Sequence, residues 1–181
     1  MTRRVRTGMA GDGALLHDLA VVTFHDACPP GVDHATAMAH VETALSPARF
    51  EQWLADPDTH VVILEEDGTA IGYVVLVANR PVTATGRLQR PELAEQDSVW
   101  FLSKFYVVAE ARGTGAAREL MTATVDVARA GNASGVWLTV NQLNPRANAF
   151  YERCGFLAVG TTTFPMGGKL HDDNVRHLPL P

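Results

Sequence analysis

The feature that most constrains this chain is a strand-like apolar run, Leu102 to Val108, followed by Arg112-Gly113-Thr114-Gly115 and a well-patterned helix. From Thr114 to Ala130, the residues Ala117, Leu120, Met121, Thr124, Val125 and Ala128 recur at the i, i+3, i+4, i+7 spacing of a buried helical face. A second strand-like run, Gly135 to Val140, comes next. Strand, helix and strand in that order predict parallel neighbours or near-neighbours joined by a right-handed crossover. The chain must therefore build a sheet with helices packed on it.

The remaining segments supply the other strands and the cover. Arg3 to Arg6 reads as a first strand, with Asp12 as N-cap of a helix that buries Leu15, Leu16, Leu19, Val22 and, at its end, Phe24. Cys28-Pro29-Pro30-Gly31 stops it, Asp33 caps a second helix, and Ser46-Pro47 opens a third carrying Phe50, Trp53 and Leu54. His60 to Glu66 and Thr69 to Ala78, joined through Asp67-Gly68, read as an antiparallel hairpin. Asn79 to Asp97 turns polar and reads as a long loop bordering the site. A helix from Pro145 to Cys154 and strands near Phe156 to Phe164 and Asn174 to Leu178 complete the chain.

Composition narrows the class. With 181 residues and 46% hydrophobic content, residues 1–181 are expected to form a single domain. A net charge of -5 argues against general nucleic-acid binding, which draws its affinity from neutralised phosphates. Cys28 and Cys154 make neither a disulfide framework nor a zinc spacing, so a cytoplasmic protein is expected. Arg3-Arg4 lacks the apolar region of an export signal, and no apolar run approaches the roughly 20 residues that cross a bilayer, so no membrane partner is expected. The histidines show no ligand spacing, and no metal is expected.

The turn at Arg112 to Gly115 presents free backbone N–H groups, a helix dipole and small residues, which together suit a pyrophosphate. No Gly-Lys-Ser or Gly-Lys-Thr follows, and a dinucleotide fingerprint would need a third glycine and a later acid that are absent. Two glycines in a tight strand-to-helix turn are the competing reading. About 30 residues on lies Asn144-Pro145-Arg146-Ala147-Asn148-Ala149-Phe150-Tyr151-Glu152-Arg153-Cys154-Gly155-Phe156. Helical spacing puts Asn144, Asn148 and Tyr151 on one side, toward the cofactor, and Ala147, Phe150 and Cys154 toward the core.

Here a resemblance becomes specific. Arg112-x-x-Gly115-x-Ala117 resembles the acetyl-CoA motif of the GCN5-related N-acetyltransferases, and Asn144-x-x-Ala147-x-x-Phe150-Tyr151-Glu152-x-x-Gly155-Phe156 resembles that superfamily's second motif. The resemblance implies an α/β fold with a mixed, mostly antiparallel sheet of about seven strands, helices on both faces, and a parallel, splayed pair at the coenzyme A site. It implies acetyl-CoA as co-substrate, bound by Phe105, Tyr106, Val107 and Val108 along its pantetheine arm. It assigns the pyrophosphate to Arg112, Gly113, Thr114, Gly115, Ala116 and Ala117, further contacts to Asn144 and Asn148, and thiolate protonation to Tyr151. A hydrogen-bond donor near the sulfur stabilises developing negative charge.

An amine acceptor must lose a proton before attacking, yet Phe101 stands where relatives often carry a glutamate. Asp97, Glu95, His25 or ordered water are the alternatives for the base. Thr23 to Ala27 and the ending Phe164 to Asp173 resemble the bacterial polyamine N-acetyltransferase branch, which implies a primary amine of a small molecule, a di- or polyamine among the choices, with Phe24 and His25 lining its pocket. Protein or peptide, amino-acid or aminoglycoside acetylation and a catalytically silent acyl-CoA sensor are the alternatives. Dimers are common in the superfamily, which leaves a homodimer open.

Overall fold

The computed structural model describes residues 1–24, 27–28 and 31–181. In chain order the elements are β1 (Arg3–Thr7), α1 (Gly13–Phe24), α2 (His34–Ala44), α3 (Pro47–Ala55), β2 (Thr59–Glu66), β3 (Thr69–Val77), β4 (Val99–Val107), α4 (Ala116–Ala130), β5 (Gly135–Asn141), α5 (Pro145–Arg153), β6 (Leu157–Met166) and β7 (Lys169–Pro179). Among the described residues the strands form a seven-stranded sheet in the order β1-β2-β3-β4-β5-β7-β6. The β4–β5 pair is parallel and its neighbours pair antiparallel, as expected.

Each sheet face has its own cover. Leu120, Met121, Val125 and Ala128 of α4 pack on Leu64, Val74, Leu102 and Leu138, which project from one face. On the other face, Leu16, Ala20, Val41 and Phe50 from α1, α2 and α3 pack on Val61, Ile63, Tyr73 and Val75. The alternation of Ile63 with Leu64, and of Val74 with Val75, explains why β2 and β3 are continuous apolar runs: both faces are covered. The 79–97 loop is tied to β6 by the Gly86 amide on the Thr161 carbonyl (3.0 Å) and the Gln89 amide on the Val159 carbonyl (2.7 Å). It buries Val82 and Leu93 against Trp137 and Val175.

Three expectations change. Val22 of α1 is 62% exposed rather than buried. Asp12 precedes α1, but its carboxylate turns back to accept from Arg6 (2.7 and 2.9 Å) and from the Met9 amide. The α1 amide end is instead satisfied by Glu51 of α3, which accepts from Gly13 at 2.7 Å. At the C-terminal end, β7 begins at Lys169 rather than Asn174, because Gly167 and Gly168 take positive φ (59° and 72°) and close a two-residue hairpin turn. Asp33 and Ser46 cap α2 and α3 as expected, accepting from the amides of Thr36 and Arg49.

Candidate active site

The site starts where the sheet comes apart. β4 and β5 are in register at Val99 with Gly135, Trp100 with Val136 and Phe101 with Trp137, and then separate. The Val108 amide donates to the Ile71 carbonyl at 2.9 Å. In an antiparallel pair, successive residues alternate between facing the partner strand and facing away. Val107, and Phe105 two residues earlier, therefore point their backbone N–H and C=O groups into the gap. They form a hydrogen-bonding edge in the middle of the sheet.

The turn at the end of β4 brings the helix end to that edge. Gly113 and Gly115 take left-handed conformations (φ 77° and 91°), and α4 starts at Ala116, two residues later than periodicity places it. Glu119 is the first α4 amide to bond a carbonyl, that of Gly115 at 3.1 Å, and the amides before it point out of the helix end. The turn is braced from behind: Arg3 of β1 donates to the Thr114 carbonyl (3.0 Å) and hydroxyl (2.6 Å) and is itself held by Glu66 at 2.9 Å. Thr114 thus faces its carbonyl and hydroxyl away from the helix mouth.

Helix α5 forms the opposite wall. Asn144 caps it by accepting from the Ala147 amide at 3.0 Å. Tyr151 is 9% exposed and packs edge-on against Phe105, Phe150 and Phe156. Burial raises its phenol well above the ordinary range, with Tyr106 and Cys154 adding to the shift, so it stays protonated. Asn148 lies about 60° further around the helix than Tyr151 and turns toward β5 and β7. Its Nδ2 donates to the carbonyls of Asn141 (2.8 Å) and Asn144 (2.9 Å). Its Oδ1 accepts from Asn174 and from Arg176, whose guanidinium also pairs with Glu152 at 2.7 Å.

These elements enclose a cleft of about 240 Å³. Of the residues picked out in the sequence, Phe105, Tyr106, Val107, Arg112, Gly113, Ala117, Asn144 and Tyr151 line it. Val108, Thr114, Gly115 and Ala116 shape the turn and helix start beside it, and Asn148 anchors α5 from behind. Phe24 stands one ring back, stacked on His40 (4.8 Å) and tilted against Tyr106. His25 and Asp26 lie outside the described residues. The sequence reading missed Thr23, Ala27, Arg146 and Arg153 in the lining; Ala147 and Phe150, read as facing the core, pack against it and also line the cleft. Arg146 and Arg153, seven apart on one helix, carried a readable signal: two cations on one helical side.

The base candidates separate clearly. Phe101 is partly buried and packs against the core, tilted on Trp137 with ring centroids 4.3 Å apart. Asp97 and Glu95 precede β4, beyond its Val99 end, which at strand rise is about 20 Å from Phe105.

A parallel pair that opens beside a helix end, with a protonated phenol on the far wall, is the arrangement of a coenzyme-A-dependent N-acyltransferase. Residues 20–156 match the acetyltransferase (GNAT) family. An uncharacterised N-acetyltransferase of Mycobacterium tuberculosis (strain H37Rv) is 35% identical over 164 residues, covering 91% of this chain and 95% of that protein. A Mycobacterium bovis counterpart matches to the same extent. The chain belongs to the GNAT family and is an acyl-CoA-dependent N-acyltransferase that uses acetyl-CoA as co-substrate. In fold it is similar to the PaiA N-acetyltransferase of Thermoplasma acidophilum, solved in complex with coenzyme A, with a TM-score of 0.77 at 14% identity over 99% of this chain and 100% of that one. It is also similar to the ribosomal-protein-S18-alanine N-acetyltransferase of Escherichia coli, with a TM-score of 0.69 at 16% identity over 98% of this chain and 94% of that one.

Proposed function

We propose that this protein transfers the acetyl group of acetyl-CoA to a primary amine of a small molecule by direct attack within a ternary complex. The pantetheine arm pairs with the open edge of β4 at Phe105 and Val107, and the pyrophosphate rests on the amides from Gly113 to Ala117. The amine nitrogen attacks the thioester carbonyl carbon, forming the C–N bond and a tetrahedral oxyanion that a main-chain amide near Val107 stabilises. Collapse of the intermediate breaks the C–S bond, and the leaving thiolate takes the Tyr151 hydroxyl proton. The proton lost from nitrogen passes, through solvent, to the Tyr151 phenolate, which completes the amide and restores the phenol.

The observation that carries this reading is Tyr151: a phenol kept protonated by burial, at the cleft wall facing the open edge of β4. A thiol-release assay with acetyl-CoA and a panel of amines tests it, with Tyr151→Phe alongside. The substitution should lower kcat by roughly 10²-fold or more while leaving the Kd for coenzyme A unchanged. An active Tyr151→Phe enzyme would remove the phenol from the chemistry, and a wild type that binds coenzyme A but acetylates no amine would favour a sensor.

A further inference from the structure

The cleft passes from one side of the sheet to the other through the gap between β4 and β5. Successive side chains of a strand project to opposite faces. Phe105 accordingly packs with the α5 rings of Phe150 and Tyr151, while Tyr106 joins the cluster under α1, α2 and α3, yet both line the cleft. Arg112, Gly113 and Arg146 border it on the α4 and α5 side, and Thr23 and Ala27 on the α1 side. With the pyrophosphate on the mouth of α4, the acyl end of the coenzyme points through the gap toward α1. Tyr106 stands at that end.

The Tyr106 ring has little room to retreat. It meets Tyr73 at 5.5 Å between ring centroids and Phe24 at 6.2 Å. Tyr73 is fully buried and in turn meets Phe50 at 5.5 Å, and Phe24 is buried and stacked on His40 at 4.8 Å. A ring backed by close-packed rings yields poorly to an added methylene, because it has no free volume to turn into. Across the gap, the Tyr151 phenol is near enough for Tyr106 to add to its upward shift, so the two phenols border the same stretch of cleft.

We propose that Tyr106 sets the length of the acyl chain that the enzyme transfers, its ring closing the cleft beyond the thioester so that an acetyl group fits and longer chains do not. This rests on the acyl-transfer reading above and deepens it by naming which acyl donors the site accepts. Tyr151 stands at the sulfur, and Tyr106 borders the space that the acyl methyl enters. Thr23 and Ala27 border the side from which the amine approaches the carbonyl carbon, so the acyl chain has only the Tyr106 side left to it. A butyryl group must press on a ring that cannot move aside.

The test is calorimetric binding of two thioethers, S-ethyl-coenzyme A and S-butyl-coenzyme A, whose chains match acetyl and butyryl in length and which need no acceptor. Wild type should bind the ethyl compound at least roughly tenfold more tightly, the discrimination a packed apolar pocket reaches over one or two methylenes. Tyr106→Leu should remove most of that preference without weakening coenzyme A itself. Tyr106→Phe, which keeps the ring, should retain it, and Phe24→Leu, which loosens the packing behind the ring, should lower it. An undiminished preference in a folded, coenzyme-binding leucine variant overturns the assignment. Equal binding of the two thioethers by wild type overturns it as well and leaves the acyl-transfer reading standing, whereas a wild type that binds no coenzyme A overturns both.

Discussion

Arg3, in the first strand, is bonded to Thr114, in the turn that opens α4, across 111 positions of sequence. Its guanidinium takes both the carbonyl and the hydroxyl of Thr114, with Glu66 behind it and Glu119 at 3.8 Å to one side. The edge strand thereby fixes which way the amides at the mouth of α4 point. Arg3→Ala should weaken coenzyme A binding by about 1 kcal/mol, the worth of a lost hydrogen-bonded brace, with kcat nearly unchanged. Arg3→Lys keeps the charge but not the fork and should recover only part of the affinity, as read by coenzyme A titration.

Gly115 is the second support of that turn. A Cβ there would meet only the Arg3 Nη1 at 3.9 Å, so steric crowding is not the obstacle; the φ of 91° is. Gly115→Ala should destabilise the fold by about 1–2 kcal/mol in denaturant unfolding and reduce coenzyme A affinity, because a non-glycine residue relaxes away from the left-handed region.

Asn148 couples α5, the cleft wall that carries Tyr151, to β5 and β7. Arg176 is 4% exposed, and the Asn148 carbonyl oxygen takes two of its hydrogen bonds. Asn148→Ala leaves that guanidinium short of acceptors, with Glu152 and the Phe156 carbonyl still in place. A loss of about 2–3 kcal/mol in stability is expected, with a fall in kcat as α5 and Tyr151 lose their anchor; thermal unfolding and turnover measure the two separately.

What the sequence disclosed and what it concealed divide by distance along the chain. The unit of β4, turn, α4 and β5 was legible because helical periodicity and paired glycines are local signals. Tyr151, Asn144, Arg112 and Gly113 were legible because each sits inside a compact motif. The Arg3 brace and the Glu51 contact with the α1 amide end were hidden, since each joins residues brought together by tertiary packing alone. Asn148 was misread because its helical side is shared by the cleft and by β7, and only the strand register decides between them.

Lys104 gives the fold a pH signature. Burial, with the nearby charge of Arg49 second, pushes its amine down to about 8 from an ordinary 10.5. Between those values the unfolded chain holds a proton that the folded one does not, so stability rises with pH across the window. Below about pH 8 the penalty is complete and constant. Lys104→Met should melt above wild type at pH 7, and the difference should shrink as pH rises from 8 to 10 in a melting series.

Exposed strand edges invite other polypeptides to add to a sheet, and proteins ordinarily hide them at the periphery. Here an adhesive edge stands at the centre of the molecule, between strands of the same chain. β4 and β5 are fastened one strand-width apart at Val99 to Phe101, so near the fork there is no room for a third polypeptide strand. A slender chain with its own amide groups can enter where a peptide segment cannot. The narrow fork therefore protects against aggregation as well as selecting a ligand, and the same backbone groups stay open for use without becoming a liability.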